Sequence, residues 1–454
     1  MTTLATHLPD HLPTSPEISS PFLPRGTVPP HSEVAPGDIA VGVIIGRASE
    51  YFDFFVYGIA SALIFPAVFF PFAQPLQATL YAFIIFSFAF LTRPIGTAVF
   101  MAIERRWGRG TKLTASLFLL GTATAGIAFL PGHGQIGVWS IVLLAAFRLV
   151  QGLALGGTWD GLPSLLALNA PPHKRGWYAM LGQLGAPLGF VIAAALFAYL
   201  YSQLSFDDLH AWGWRYPFFV AFALNVVALF ARLRLVVTHE YDQQLGEREL
   251  TAEPVHTVLQ AQGSNVLIGA FAALASYALF HIVTIFPLSW IQLYSGQSLS
   301  GVLSVQIVGA VLAAGAVVVS GLLADKIGRR STLGIFAVLI ALFSFVAPVL
   351  LDAGQAGQHA FIIAGFVLLG LSYGQSTGAV TSNFEPRLRY TGAAFTVDIA
   401  WLIGAAFAPL VALGLSSHYG LWAVGAYLLS GAAATLIALR INRNRQPVVR
   451  DTDD

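Results

Sequence analysis

The chain has 454 residues, of which 56% are hydrophobic and 10% are charged, and its formal net charge at pH 7 is +1. Soluble globular proteins carry roughly 25% charged residues, so this composition excludes a soluble enzyme. The balanced charge excludes a protein that binds nucleic acid through a basic surface, and the absence of cysteine excludes disulfide scaffolds and Cys-ligated metal sites. We therefore predict an all-α polytopic membrane protein.

Residues 1–37 are rich in proline and contain no apolar run, which predicts a disordered cytoplasmic tail. From residue 38 onward the chain consists of continuous apolar runs of about 20 residues, the length with which a helix crosses about 30 Å of hydrocarbon. We predict twelve transmembrane helices, named spans 1 to 12, at residues 39–63, 78–102, 113–131, 138–166, 177–201, 214–235, 265–293, 301–323, 332–351, 359–381, 391–413 and 420–439.

A polar segment separates the first six spans from the last six. We expect an N-terminal six-helix bundle at 38–237, a cytoplasmic linker at 238–264, a C-terminal six-helix bundle at 265–440 and a cytoplasmic tail at 441–454. Basic residues follow spans 2, 4, 6, 8 and 10 and lie in both tails, whereas the opposite loops carry none except Arg215 at the start of span 6. By the positive-inside rule, both termini are cytoplasmic.

Two pairs of cytoplasmic loops repeat each other. The sequence after span 2 is MAIERRWGRG from Met101, and the sequence after span 8 is GLLADKIGRR from Gly321. PHKRG before span 5 is similar to PRLRYTG before span 11. A duplicated six-helix unit is typical of secondary transporters.

The loop GLLADKIGRR resembles the cytoplasmic loop motif of the major facilitator superfamily. Further segments resemble motifs of its metabolite:proton symporter family, which includes permeases for shikimate, α-ketoglutarate, citrate and proline/betaine: GRASEYFDF from Gly46, RPIG from Arg93, RLVQGLALGG from Arg148, WGWRYPF from Trp212 and RYTGAAF from Arg389. The resemblance implies two bundles that rock around a midplane site and a symporter that imports a small organic acid across the inner membrane. It also implies H⁺ as the coupling ion, no cofactor and no enzymatic activity.

The chain departs from the family pattern at several acidic positions. Thr158 and Leu168 stand where the family usually has glutamate, and Asp160 lies about 200° around the helix from Thr158. In the first loop, Arg105 replaces the expected aspartate and Glu104 lies one place earlier. These departures leave two alternatives to symport, an uncoupled facilitator and an efflux or antiport carrier. A zwitterionic osmolyte is the alternative substrate.

Span 1 carries four polar side chains at helical spacing. Glu50 and Asp53 are three residues apart, Arg47 precedes Glu50 by three, and Tyr57 follows Asp53 by four. Two neighbouring carboxylates in a medium of low dielectric constant cannot both ionise at low cost, so one of them is expected to bind a proton near neutral pH. Because Arg47 stabilises the ionised form of Glu50, we predict that Asp53 carries the coupling proton. The alternative is a static Arg47–Glu50 pair with Asp53 hydrogen-bonded to a neighbour.

Arg148 lies on one stripe of span 4 with Gln151, Leu155 and Thr158. The family resemblance assigns this arginine to proton coupling together with Asp53 and Glu50; the alternative is a structural ion pair with span 1. Arginine binds carboxylates bidentately, so the intramembrane arginines of the first half predict a carboxylate substrate. The alternative is that the acids of span 1 neutralise these arginines.

Polar and aromatic side chains within the spans are the candidates for substrate binding. Asp398 either binds a proton, meets an arginine of the first half across the cavity, or caps backbone near the cytoplasmic end of span 11. His281 either titrates or packs as a hydrogen-bonded residue. The full set of candidates is Arg47, Tyr57, Gln151, Thr158, His281, Tyr373, Gln375, Asp398 and Trp401.

The repeated loops predict gates at the cytoplasmic face. We expect Asp325 to form charge pairs with basic residues of its loop that hold the cytoplasmic side closed. The first-half copy lacks this aspartate, so its gate is expected to be weakened or rebuilt from Glu104. Arg93, before Pro94, has either a packing or gating role or a substrate contact. The gating candidates are Arg93, Glu104, Gly108, Arg109, Gly321, Asp325, Lys326, Gly328, Arg329 and Arg330.

The expected partners are a small metabolite, in the first place a carboxylate, and the lipid bilayer. We expect no nucleic acid partner, and we expect the protein to function as a monomer. His7 and His11 have a spacing that a metal site could use, but they lie in the proline-rich tail, where a helix is not expected. We therefore predict no metal site.

Overall fold

A computed structural model describes residues 36–159, 166, 170–236, 250–377 and 384–445 of the chain. These residues form helices joined by short loops, and no strand occurs among them. The predictions made for residues 1–35, Asp160, Leu168, the 238–249 part of the linker and the tail from 446 lie outside the described residues.

The first six predicted spans are all helical. Their bounds are Pro36–Leu63 for span 1, Pro75–Ala128 for spans 2 and 3 together, Val138–Gly157 for span 4, Arg175–Leu181 and Gly185–Gln203 for span 5, and Tyr216–Val236 for span 6. The two parts of span 5 are joined by the 3₁₀ turn Gly182–Leu184. The helix of span 4 ends nine residues before the predicted end at 166, and short helices at Phe65–Phe69, His133–Ile136 and Phe206–Ala211 lie in the extracellular loops.

The last six spans are helical as well. Their bounds are Leu274–Thr284 and Phe286–Tyr294 for span 7, Leu299–Ile327 for span 8, Arg329–Asp352 for span 9, Gly354–Tyr373 for span 10, Pro386–Gly404 and Ala408–Tyr419 for span 11, and Trp422–Arg445 for span 12. A helix at Val255–Ala272, bent at Gln262, leads into span 7 and begins inside the segment predicted as linker.

The described helices account for the twelve predicted spans. Ten helical stretches are long and apolar enough to cross a membrane. One of them, Pro75–Ala128, contains two spans, and Pro36–Leu63 adds span 1, which carries Arg47, Glu50 and Asp53 within its apolar sequence. An ionisable side chain in a span costs a few kcal/mol unless it faces a partner or a cavity, so these three residues must have partners inside the protein.

The sequence repeat between the two halves is also a repeat of backbone geometry. Spans 2 and 3 meet at Gly108 and spans 8 and 9 meet at Gly328, and both glycines have φ of 82°. Residues other than glycine rarely adopt this left-handed backbone conformation. Glycine is therefore favoured at both turns although the space around each is open. The same turn thus closes both repeated loops.

Small residues allow the helices of the N-terminal bundle to approach closely. A Cβ atom at Gly152 on span 4 would lie 2.1 Å from the carbonyl oxygen of Ala89 on span 2. Backbone-to-backbone packing of this kind is typical of membrane helices. Their association depends on van der Waals contact, which small residues make possible, because lipid provides no hydrophobic effect between helices. Spans 2 and 4 therefore form a rigid pair that carries Arg93 and Arg148.

Candidate functional site

A small polar cavity lies between the two bundles. It has a volume of about 30 Å³, room for only one or two water molecules, so the structure represents a state that is closed around its central site. The N-terminal bundle contributes Arg47, Glu50, Tyr51, Phe54, Arg93, Leu155 and Gln183 to its wall, and the C-terminal bundle contributes Tyr373, Thr377, Val397 and Trp401.

Two arginines line this cavity, and each is paired with an acid. Arg47 Nη1 lies 2.8 Å from Glu50 Oε2 within span 1. Arg93 Nε on span 2 lies 2.6 Å from Asp398 Oδ1 on span 11, and the hydroxyl of Thr97 donates to the other carboxylate oxygen. Of the three alternatives considered for Asp398, the arrangement present here is the contact with an arginine of the first half across the cavity.

The neutral polar residues of the cavity join the bundles through hydrogen bonds. The hydroxyl groups of Tyr51 and Tyr373 share one, and Gln183 Nε2 donates to Thr377 Oγ1 at 2.5 Å. The aromatic ring of Trp401 packs against Phe54 and completes the wall. Tyr51, Gln183 and Thr377 were not among the sequence-based candidates, because only the packing of the two bundles brings these neutral side chains to the cavity.

Asp53 lies outside the cavity and ends a chain of hydrogen bonds within the N-terminal bundle. Thr124 Oγ1 donates to Asp53 Oδ1 at 2.9 Å, Gln151 Nε2 donates to Thr124 Oγ1 at 2.9 Å, and Arg148 Nη1 donates to Gln151 Oε1 at 3.1 Å. Asp53 is 4% exposed and Arg148 is 2% exposed. Arg148 is therefore connected to span 1 through two neutral side chains, and the direct ion pair considered above is replaced by this relay.

The acid pair inferred from the spacing of span 1 is divided between two environments. Glu50 borders the central cavity beside Arg47, whereas Asp53 points towards span 3. Two carboxylates three residues apart on one helix therefore have different partners, and Asp53 as the carrier of the coupling proton stays a prediction.

Three of the substrate-binding candidates, Arg47, Tyr373 and Trp401, border the cavity. The other candidates lie away from the cavity. The ring of Tyr57 lies 3.8 Å from Arg148 Cζ, and Gln151 belongs to the hydrogen-bonded relay to Asp53. The side chains of Thr158 and Gln375 donate to the backbone carbonyls of Leu155 and Gly176, and His281 packs among Phe54, Phe86 and Trp401. Asp398 does not line the cavity but pairs with Arg93, which does. These positions depend on how the helices pack, and the substrate-binding role of each candidate stays a prediction.

Asp325 closes the cytoplasmic side through backbone groups. Its carboxylate accepts hydrogen bonds from the N–H groups of Gly176 at 2.6 Å and Trp177 at 3.1 Å, at the start of the helix of span 5. A carboxylate is stabilised at a helix N-terminus by the free N–H groups and the helix dipole. Besides the predicted charge pairs with its own loop, which stay a prediction, Asp325 thus makes a cap across the bundles. Arg329 Nη2 adds a bond to the carbonyl of Arg175 at 3.0 Å, and Lys326 is exposed.

The first-half copy of this gate is built around Glu104. This buried carboxylate lies 2.9 Å from Arg109 Nε and 2.6 Å from Lys112 Nζ, and it accepts a hydrogen bond from the hydroxyl of Tyr390 on span 11 at 3.0 Å. These contacts fit the alternative in which Glu104 takes the place of the missing aspartate, and its role as a gate stays a prediction. Tyr390 belongs to the RYTGAAF segment noted in the sequence, so its family motif was the available signal. Gly321 packs against Met180 of span 5, and Arg330 donates to the carbonyl of Leu439.

The extracellular end has a different character. A cavity of about 330 Å³ lies there, lined by residues of the loop after span 1 and by Phe206, His210, Gln292 and Leu293. Among the described residues, the polar bonds between the bundles cluster at the central cavity and on its cytoplasmic side, whereas Gln292 reaches the carbonyl of Leu63 at 3.5 Å. The described conformation is therefore closed towards the cytoplasm.

Comparisons with known proteins cover most of the chain. The sequence model of the Major Facilitator Superfamily matches residues 43–409. The inner membrane metabolite transport protein YhjE of Escherichia coli (strain K12) is 38% identical over 407 residues, which cover 88% of this chain and 92% of that protein. The shikimate transporter of the same organism is 28% identical over 418 residues, 90% of this chain and 94% of the transporter. A crystal structure of a D-xylose-proton symporter superposes with a TM-score of 0.67 at 19% identity and covers 87% of this chain and 96% of that chain.

Proposed function

Because the chain belongs to the Major Facilitator Superfamily, and is therefore a multi-pass metabolite transporter of the inner membrane and not an enzyme, we propose that it is a proton-coupled symporter that imports a small organic acid. Transport of this kind needs no cofactor, and H⁺ is the coupling ion. The observation that carries the proposal is the pair of arginines in the wall of one closed cavity between the bundles.

The cavity has the groups that a carboxylate requires. Guanidinium groups bind carboxylates through two parallel hydrogen bonds, and Arg47 and Arg93 both border the cavity. Gln183, Thr377 and the hydroxyl groups of the two tyrosines can bond the hydroxyl or carbonyl groups of a polar metabolite. One of the relatives is named as a shikimate transporter, and shikimate is a hydroxylated carboxylate.

The relay that ends at Asp53 supports a role for this residue in proton coupling, together with Arg148 and with Glu50 on the cavity side. A buried carboxylate that gains a proton loses its attraction for the donors around it, so protonation of Asp53 would loosen the link between span 1 and spans 3 and 4. Deprotonation after the site opens to the cytoplasm would restore that link and return the carrier.

A zwitterion with a quaternary ammonium group is a second candidate. The cavity brings Trp401, Tyr51 and Phe54 together with Glu50, and an aromatic wall beside a carboxylate attracts such a cation. The arginines would then hold the carboxylate of the same molecule.

Uptake into proteoliposomes tests these proposals. Labelled shikimate, α-ketoglutarate, citrate and betaine are offered with and without an inward proton gradient. Accumulation of one carboxylate that depends on the gradient is the expected result, whereas accumulation of betaine supports the second candidate. Equilibration that ignores the gradient would identify a facilitator and contradict symport.

A matched pair of variants tests the role of the cavity arginines. Arg47→Gln should abolish carboxylate uptake because it removes a guanidinium group from the cavity. Arg215→Gln is the control, since Arg215 lies at the extracellular start of span 6 and bonds the carbonyls of Ala211 and Leu130. Equal uptake by the two variants would remove Arg47 from the binding site.

A further inference from the structure

The ion pair between Arg93 and Asp398 joins the two bundles at the edge of the central cavity. We infer that this pair is a proton-operated lock: protonation of Asp398 frees Arg93 for the carboxylate of the substrate and releases the cytoplasmic gate. The inference rests on the proposed function and adds to it a second protonation site, in the C-terminal bundle, beside the one proposed at Asp53.

The contacts of Asp398 all cross the bundle interface. Its Oδ1 lies 2.6 Å from Arg93 Nε, and its Oδ2 accepts a hydrogen bond from Thr97, one turn further along span 2. The Asp398 side chain is 4% exposed and that of Arg93 is 14% exposed. Since bundle separation on the cytoplasmic side must break both contacts, the charge of Asp398 opposes opening.

The neighbouring pair does not have this property. Arg47 and Glu50 are three residues apart on one helix, so the distance between them does not change when the bundles rock. Arg109 and Lys112 pair with Glu104 inside the N-terminal bundle, and the bond from Tyr390 to this cluster involves a neutral group. Loss of the Arg93–Asp398 pair therefore acts directly on the equilibrium between closed and open states, whereas the bond between Arg47 and Glu50 can persist when the bundles separate.

Arg93 connects the lock to the substrate. Arg93 borders the cavity, whereas its partner Asp398 is not part of the cavity wall. A substrate carboxylate that binds Arg93 while Asp398 is ionised places two anions on one guanidinium group, which is costly where water is scarce. A proton from the extracellular phase that binds Asp398 leaves a neutral carboxylic acid, the substrate anion takes its place on Arg93, and the net charge of the site is unchanged.

Release follows from the same balance. When the gate opens, water from the cytoplasm reaches Asp398 and accepts its proton. The restored carboxylate competes with the substrate for Arg93, and re-formation of the pair draws span 2 and span 11 together. Thr97 is suited to this exchange because its hydroxyl has a second acceptor within reach, the carbonyl of Gly156 at 3.1 Å.

Charged or titratable groups on the helices packed against span 11, or across the shared cavity, define the alternatives. They are Arg93 on span 2, Arg47 and Glu50 on span 1 across the shared cavity, Tyr277 and His281 on span 7 beside Trp401, and His256 at the exposed start of the helix that leads into span 7. His281 is enclosed by aromatic rings and Glu50 is held by Arg47, so variants of these two residues separate their contributions from that of Asp398.

The accumulation ratio in proteoliposomes measures the number of coupled protons. With the membrane potential clamped at zero and a pH difference of one unit, each coupled proton multiplies the ratio by about ten. Asp398→Asn should therefore lower the ratio by about tenfold while carboxylate exchange without a gradient persists, because Arg93 is permanently available. Arg93→Gln should abolish the exchange. Asp352→Asn, at the exposed extracellular end of span 9, is the matched control with an unchanged ratio.

Access to the cavity measures the lock without any substrate. The chain has no cysteine, so Leu155→Cys places one thiol in the cavity wall, and a membrane-impermeant maleimide is applied to inside-out vesicles. Labelling is normalised to the reaction of a free thiol at the same pH, because only the thiolate reacts. This normalised labelling should rise on acidification when Asp398 is present and should be high at every pH in Asp398→Asn. If this variant does not fold, Thr97→Val serves in its place, since the loss of one bond to the ionised carboxylate should make labelling rise at a higher pH.

An accumulation ratio that Asp398→Asn leaves unchanged, or labelling that keeps its pH dependence in that variant, would overturn the lock. If no carboxylate accumulates even in the parent protein, the proposed function fails, and the labelling experiment still decides the lock because it needs no substrate.

Discussion

The contact between Asp325 and the start of span 5 is the gate whose strength can be derived most directly. Asp325 accepts two backbone hydrogen bonds across the bundle interface, at 2.6 and 3.1 Å. A hydrogen bond to a charged group contributes about 1.5–3 kcal/mol. Asp325→Asn removes the charge and leaves one oxygen for two donors, so we expect the closed state to lose about 2 kcal/mol, a shift of roughly 30-fold in the equilibrium between closed and open states.

The thiol at Leu155→Cys reports this shift. Labelling of inside-out vesicles with an impermeant maleimide should be faster in Asp325→Asn by up to the full shift of the equilibrium, because the thiol reacts only when the cytoplasmic side opens. Asp352→Asn makes the same chemical change on an exposed surface and should leave the rate as it is. Equal rates in Asp325→Asn and Asp352→Asn would refute the assignment of Asp325 as a gate.

Three further predictions address the relay, the packing of the N-terminal bundle and the first-half gate. Asp53→Asn keeps an acceptor for Thr124 but cannot be ionised, so accumulation driven by a proton gradient should fall while exchange of the substrate persists; full accumulation would eliminate Asp53 as a proton carrier. Gly152→Ala places a Cβ 2.1 Å from a backbone oxygen and should lower stability by about 1–3 kcal/mol, measured by thermal unfolding in detergent, whereas Gly315→Ala, where the space is open, should not. Tyr390→Phe removes one bond to Glu104 and should speed cytoplasmic labelling of the cavity thiol by about fivefold, the equivalent of about 1 kcal/mol; an unchanged rate would show that this hydroxyl does not hold the gate.

The number of spans and their orientation followed from local properties of the sequence. Apolar runs of the right length must be helical in a membrane because no water is available for unpaired backbone groups, and the basic loops set the direction of insertion. The sequence repeat also placed Gly108 and Gly328 at equivalent positions of the two loops. The structure adds that both glycines have φ of 82°, a left-handed conformation that favours glycine.

The partners of the charged residues could not be predicted from the sequence in the same way. Helical spacing placed Glu50 and Asp53 on one side of span 1, yet one borders the central cavity and the other bonds Thr124 on span 3. An angular separation on one helix does not say which neighbouring helix covers each position. The same limit applies to Gln183, which borders the cavity although its position in span 5 gave no sign of this.

Twelve spans, a duplicated design and intramembrane charges could all be predicted from the sequence, because hydrophobicity and charge bias depend on residues close together in the chain. The contact of Arg93 with Asp398, 305 positions away, and that of Asp325 with backbone N–H groups of span 5 could be seen only in the folded protein. Those contacts depend on how the two bundles dock, and the energy of docking is distributed over the whole interface. The lock and the gates are properties of that interface.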